Sequence, residues 1–170
     1  VIGDAERGLV YKNRRFDYVL APGVYRLKSF TDSVEVTVHN ITGIEYGGKD
    51  IETLVARLGD RLSDTFMLAD IGVKEVGLLL KNGKIEDVLA PGSRKLYWKG
   101  HVALEVQRLS LVEGIQMDED VMRRLRQMGV LERFSVAVNV PTESVGLLFV
   151  DGKLSRAMQP GAYAFWNFQK

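Results

Sequence analysis

Residues 77–98, GLLLKNGKIEDVLAPGSRKLYW, contain the pattern that decides the fold. An apolar run leads to Asn82-Gly83, a mixed run leads to Pro91-Gly92, and a third run ends in two aromatic residues. Asn-Gly favours a two-residue type I′ hairpin turn, because both central residues of that turn need positive φ. Pro-Gly suits a type II turn, where proline presets φ and glycine takes the positive φ that follows. The stretch therefore predicts three consecutive strands joined by two turns.

The same pattern occurs three times at a spacing of 69 residues. Residues 6–29 match residues 75–98 without a gap at 11 of 24 positions, and residues 144–167 share eight positions with the second copy. A fixed period of this length indicates a repeat architecture. We interpret the recurring residues as structural turns and not as a phosphate cradle, because no copy leads from a glycine loop into a helix. These turn residues are Pro22, Gly23, Asn82, Gly83, Pro91, Gly92, Asp151, Gly152, Pro160 and Gly161.

The first copy has Asn13-Arg14 where the second has Asn-Gly. An arginine at positive φ costs about 1–2 kcal/mol. We therefore expect the first hairpin turn to be looser or differently shaped.

Each full unit continues with an alternating strand, a short helix and a further apolar strand. Residues 34–38, VEVTV, and 102–106, VALEV, alternate with the two-residue period of a strand. Asp50 and Asp120 are expected to cap the helices, because a side-chain oxygen can accept from the free N–H groups of the first turn. Apolar residues at i, i+4 and i+7 predict one buried face on each helix.

We predict an α+β protein made of tandem β-rich repeats with a 69-residue period. Each unit is a hairpin plus further strands, with one short helix packed on the sheet. Units 1–74 and 75–143 are complete, and residues 144–170 form a partial third unit, which we expect to be a truncated part of a longer natural chain. One unit has too little core to stand alone, so neighbouring units should bury a shared core.

Composition excludes several classes of function. The 23 basic and 22 acidic residues leave a formal net charge of +1, so no global field favours nucleic acid. No cysteine is present, and the only histidines, His39 and His101, have no neighbours at metal-ligand spacing. No Ser-His-Asp set, metal cluster or phosphate loop is visible, and no apolar run is long enough for a transmembrane helix. We therefore predict a non-enzyme without catalytic residues, metal or cofactor.

Three segments carry a resemblance to a known family: ERGLVYKNRRFDYVLAPGVYRL, VGLLLKNGKIEDVLAPGSRKLYWKG and VGLLFVDGKLSRAMQPGAYAFW. With these motifs the chain resembles the N-terminal region of bacterial slipins, members of the SPFH/Band 7 (stomatin–prohibitin) superfamily. The resemblance implies that residues 145–168 open the SPFH domain and that the earlier residues form a preceding repeat region. The 170 residues contain neither the membrane-anchoring segment nor the long helical assembly region of this family.

The resemblance implies a scaffold that assembles as a homo-oligomer and organises membrane proteins or restrains proteases. It implies a cytoplasmic location, peripheral to the inner membrane. We expect the strand after Pro160 to pair with a neighbouring unit or another chain, because an exposed edge strand is a template for such pairing.

The aromatic strand after each Pro-Gly is expected to be buried under a helix or against a neighbouring repeat, and the alternative is that its aromatic residues, together with nearby basic ones, form an interaction surface. The alternative function is peripheral binding of lipid or nucleic acid through such residues, with Arg14 and Arg15 added to the set. The members of the predicted surface are Arg94, Lys95, Tyr97, Trp98, Lys99 and Trp166.

Overall fold

The computed structural model describes residues 1–168, and strands dominate that range. The helices are short: α1 (Ile51–Leu58), α2 (Leu62–Thr65), α3 (Glu119–Gln127) and α4 (Leu131–Phe134), with a 3₁₀ turn at Gly59–Arg61. The predicted β-rich class with few short helices is confirmed. The strands are β1 (Glu6–Lys12), β2 (Arg15–Leu20), β3 (Val34–Asn40), β4 (Phe66–Asp70), β5 (Glu75–Lys81), β6 (Lys84–Leu89), β7 (Arg94–Trp98), β8 (Leu104–Ser110), β9 (Ser135–Val140), β10 (Gly146–Val150), β11 (Lys153–Met158) and β12 (Gly161–Trp166).

These strands form small antiparallel sheets of two kinds. Three hairpins make the sheets β2-β1-β3, β6-β5-β8 and β10-β11. The other two sheets pair strands that are distant in the chain, β4 with β7 and β9 with β12. The predicted unit boundaries near residues 74 and 143 therefore fall between strands that pair with each other. The strand after Pro160, β12, pairs with β9 of the preceding segment. Of the two partners that we expected, a neighbouring unit or another chain, it is the neighbouring unit.

The β4–β7 sheet lies between two three-stranded sheets, because its side chains alternate between two cores. Leu96 and Trp98 point into a cluster with Leu9 and Phe16 of the first hairpin, which α1 also covers. Their neighbour Tyr97 points the other way, into a cluster with residues of β5, β6 and β8. The β9–β12 sheet likewise lies between the β5 sheet and the β10–β11 hairpin. Successive hairpins are thus joined by a shared layer whose later strand, β7 or β12, sends buried side chains into both neighbouring clusters, whereas Val136 and Val138 of β9 are exposed.

All three hairpins have the same type of turn. Asn82-Gly83 and Asp151-Gly152 have positive φ at both residues, as predicted for type I′. Asn13 and Arg14 adopt the same geometry, with φ of 49° and 65°. The expectation of a different first turn is therefore wrong. Asn13 supports the turn from its side chain, which donates to Asp32 and accepts from the backbone N–H of Ser33.

The predicted type II turn is present only at Pro91-Gly92, where Gly92 has a φ of 75° and the N–H of Ser93 donates to the carbonyl of Ala90. Gly23 and Gly161 both have a φ of 153°, so the prediction is wrong for Pro22-Gly23 and Pro160-Gly161. The connection from Pro91 to Trp98 is one residue longer than the connection from Pro160 to Trp166. The register of β7 against β4 is therefore shifted by one position relative to the register of β12 against β9. Trp98 therefore lies opposite Phe66, and Trp166 lies opposite Ser135, at equivalent places in the two shared layers.

The helix caps differ from the predicted ones. Asp118, not Asp120, caps α3, because its side chain accepts from the backbone N–H of Asp120. Asp50 precedes α1, but its carboxylate makes no capping bond. The most deeply buried residues of α1 are Leu54 and Leu58. In the described part of the chain, the longest helix has nine residues, and none is long and apolar enough to cross a bilayer.

Candidate functional site

The predicted interaction surface is not a surface at its aromatic members. Tyr97, Trp98 and Trp166 are only 1%, 3% and 7% exposed, because they lie on β7 and β12, the strands that pack against a cluster on each face. The expectation that they form an exposed contact area is wrong. The hydroxyl of Tyr97 has no hydrogen-bond partner, and burial raises the pKa of this side chain.

The basic members of that surface lie at the rims of the shared layer and make local contacts. Arg94 forms an ion pair with Glu52 at 3.4 Å, and Lys95 forms one with Glu45 at 3.3 Å. The ammonium group of Lys99 donates to the carbonyl of Ser63. The structure therefore distributes the six predicted residues between the core and these rim contacts and does not bring them together as one site.

A first candidate site is the terminal hairpin, formed by β10 and β11. Within residues 1–168, β10 pairs only with β11, whereas β1 and β5 each carry a third strand on their other edge. Four apolar side chains of this segment are between 57% and 62% exposed, namely Val145, Leu147, Phe149 and Leu154. An unpaired edge beside exposed apolar residues is suited to strand addition.

A second candidate site is the Tyr–Asp cluster, formed by Tyr11, Tyr46 and Asp50. The two hydroxyl groups donate to the two carboxylate oxygens of Asp50, at 2.9 Å from Tyr11 and 2.5 Å from Tyr46. Burial raises the pKa of both tyrosines, and the hydrogen bonds to the Asp50 carboxylate raise it further. The tyrosines therefore keep their protons and hold the carboxylate in place.

His39 lies beside this cluster. Its ring centroid is 5.6 Å from those of Tyr46 and Trp98, and its Nε2 lies 3.0 Å from the hydroxyl of Thr37. Burial lowers the pKa of this histidine, against the opposing effect of the Asp50 carboxylate. Neutral His39 is thus a packing residue beside the cluster.

A groove opens next to the cluster, between the β1–β2 turn and α1. We call it the arginine groove, because three of its side chains are exposed arginines that make no ion pair or hydrogen bond with any residue of the described range. The residues that line it are Tyr11, Arg14, Arg15, Phe16, Asp50, Thr53 and Arg57.

Sequence reasoning placed Arg14 and Arg15 in the alternative binding set but missed the rest of this region, because its members come from separate segments. Tyr11 and Asp50 are 39 positions apart, and only the packing of α1 on β2 brings them together. One signal was available, since Asn13-Arg14 breaks the Asn-Gly pattern of the other hairpins. Among the described residues, no group of three or more His, Cys, Asp or Glu side chains could hold a metal ion.

Comparison with known proteins adds no assignment, since neither a protein-family model nor a curated protein nor a solved structure matches the chain.

Proposed function

We propose that this chain is a non-enzymatic assembly module of a slipin-like scaffold and that it acts through protein–protein contacts and homo-oligomerisation. The observation that carries this proposal is the way the layers are built. The β4–β7 and β9–β12 sheets each take one strand from before a predicted unit boundary and one from after it. A chain constructed in this way can extend by adding strands, because every hairpin needs its neighbour to complete a core.

The proposal includes a tandem 69-residue repeat. Its support is that irregularities recur at equivalent places: the register of the three hairpins shifts between Val10 and Tyr11, between Leu79 and Leu80, and between Leu148 and Phe149. The first strand of each hairpin also has a glycine against which an apolar side chain of the preceding segment packs. If these glycines carried a Cβ, that atom would lie too close to the packed side chain. The distance would be 3.0 Å between Gly8 and Ile2, 2.6 Å between Gly77 and Ile71, and 2.9 Å between Gly146 and Val140.

The terminal hairpin is where assembly would continue. β3 covers the open edge of β1 along seven residue pairs, and β8 covers β5 in the same way. We propose that β10 accepts a strand from a second copy of this chain, in the place that β3 and β8 take beside β1 and β5. The resemblance to slipins adds the setting, which is the cytoplasmic face of the inner membrane, and adds membrane proteins or proteases as partners.

The experiment measures molecular mass by sedimentation as a function of protein concentration. We expect self-association that is lost in the double variant Leu147→Lys, Phe149→Lys, since charges on the exposed face of β10 must be desolvated on contact. Phe30→Lys is the matched control, because Phe30 is 99% exposed and lies outside the terminal hairpin. A strict monomer at all concentrations, or equal loss in the control, contradicts assembly through this end.

A further inference from the structure

We infer that the arginine groove binds a phosphate group, carried either by a small phosphate monoester or by the headgroup of a phospholipid. This site is separate from the terminal hairpin, so the inference does not depend on the proposed assembly function. Three steps support it: the conformation of Arg14, the charge of the groove and the geometry of its donors.

Arg14 occupies a backbone position that the other hairpins give to glycine. Its φ is 65°, while Gly83 and Gly152 have φ values of 77° and 75° at the equivalent position. A residue with a side chain costs about 1–2 kcal/mol more than glycine in this conformation. Strain of this kind persists where the surrounding structure enforces it, and it often marks a site of function. Here it places the side chain of Arg14 among the residues that line the groove.

The groove has excess positive charge. Three guanidinium groups face a single carboxylate among the lining residues, that of Asp50. Both oxygens of this carboxylate accept hydrogen bonds from tyrosine hydroxyls, and it makes no ion pair with the arginines. The Tyr–Asp cluster therefore forms a rigid wall, and the guanidinium groups stay available for an external anion.

The donors come from rigid elements on two sides. Arg14 and Arg15 belong to the hairpin, and its turn is held by the Asn13 hydrogen bonds to Asp32 and Ser33. Thr53 and Arg57 are four residues apart on the exposed side of α1, so they project from one helix face.

Phosphate is the anion that this chemistry fits best. The planar fork of a guanidinium group binds two phosphate oxygens at once, and a threonine hydroxyl adds a further donor. Phe16, which is 1% exposed, forms an apolar floor that excludes water beneath the charges. The second hairpin has Gly83 and Lys84 in place of the two hairpin arginines, so only the first hairpin has this set.

The test titrates the protein with glycerol phosphate and inorganic phosphate by calorimetry. A separate arm measures flotation of the protein with vesicles that contain phosphatidic acid. Arg14→Gly is the informative variant, because glycine restores the turn sequence of the second hairpin and the fold is expected to gain stability. We expect at least about tenfold weaker phosphate binding in Arg14→Gly and in Arg57→Gln. Lys84→Gln, at the equivalent hairpin position outside the groove, should bind as the parent does.

The two sources are separated by the arms of the experiment. Binding of glycerol phosphate without vesicle binding supports a soluble phosphate ligand, and vesicle flotation that requires Arg14 supports a headgroup. Equal weakening by Lys84→Gln would show that only general charge matters and would overturn the inference. Absence of binding by the parent protein in both arms would overturn it as well.

Discussion

Two cores of this molecule have matching backbones and different chemistry. The first core lies between the β1 sheet and the β4–β7 layer, and the second lies between the β5 sheet and the β9–β12 layer. In the first, the N–H of Tyr46 donates to Leu96 at 2.8 Å, and in the second the N–H of Met117 donates to Ala164 at 2.8 Å. The backbone N–H of each tryptophan in turn donates to the same segment, Trp98 to the carbonyl of Ile44 and Trp166 to that of Ile115. The two backbones can therefore be compared residue by residue.

The first core contains polar rings where the second contains aliphatic side chains. The equivalent positions follow from the strand registers and from the hydrogen bonds above. They are Tyr11 and Leu80, His39 and Leu109, and Tyr46 and Met117. The comparison teaches that the register does not depend on core polarity when every buried polar group has a partner. Here Asp50 is the partner of both tyrosines, and Thr37 is the partner of His39.

Removing the tryptophans should have the largest effect and should distinguish the two cores. Trp98→Ala and Trp166→Ala are each expected to lower the free energy of unfolding by about 3–5 kcal/mol, because each leaves a cavity. Trp98→Ala should lie at the upper end of this range. The ring centroid of Trp98 is 4.5 Å from that of Phe66, and the ring also packs against Tyr46 and His39. Urea denaturation measures both values. A larger loss for Trp166→Ala would contradict the difference inferred here.

Tyr46→Phe tests the polar partner in the first core alone. The variant removes the hydroxyl that donates to Asp50 and leaves one oxygen of a part-buried carboxylate without its donor. A loss of about 1.5–3 kcal/mol in the free energy of unfolding is expected, the range for hydrogen bonds to charged groups. Met117→Leu is the matched change in the second core and should cost less than about 1.5 kcal/mol. Equal losses in the two variants would show that the hydrogen bond contributes nothing.

Exchanging the turn residues should have a smaller effect of opposite sign in the two hairpins. Arg14→Gly should stabilise the protein by roughly 1 kcal/mol, because glycine adopts positive φ without steric strain. Gly83→Arg should destabilise it by a similar amount. Thermal unfolding of both variants provides the measurement. Destabilisation by Arg14→Gly would mean that the arginine side chain makes a folded-state contact which outweighs the strain.

The pH dependence of stability should show the smallest difference. His39 has a lowered pKa in the folded protein, so below its ordinary value of 6.5 the unfolded chain binds more protons than the folded one. The contribution of His39 is therefore fully present above pH 6.5 and decreases as the pH falls toward the folded pKa. His39→Leu, which copies Leu109, should flatten the unfolding free energy between about pH 7 and pH 5. An unchanged slope in this variant would contradict the contribution of His39.

Short sequence patterns correctly predicted those local features that depend on backbone geometry. Asn82-Gly83 and Asp151-Gly152 form the expected turns because positive φ is nearly a property of the dipeptide. Pro-Gly was a weaker guide, because Gly161 opens the paired strand β12 and Gly23 forms an isolated bridge with Ile2, so neither glycine closes a turn. The candidate sites were not predictable in the same way. The Tyr–Asp cluster and the arginine groove combine β1, β2 and α1, and short patterns contain no information about that packing.

The sequence by itself determined the β-rich class, the hairpins and the places of their turns, since these depend on φ preferences and apolar alternation over a few residues. Tertiary structure decided which strands share a layer, and therefore that Tyr97, Trp98 and Trp166 are core residues and not a contact surface. It also decided that the Asp50 carboxylate binds two tyrosines instead of capping α1. The physical reason is that burial and partner choice depend on pairing between distant segments, and a one-residue shift after the Pro91-Gly92 turn is enough to change which side chain faces which core.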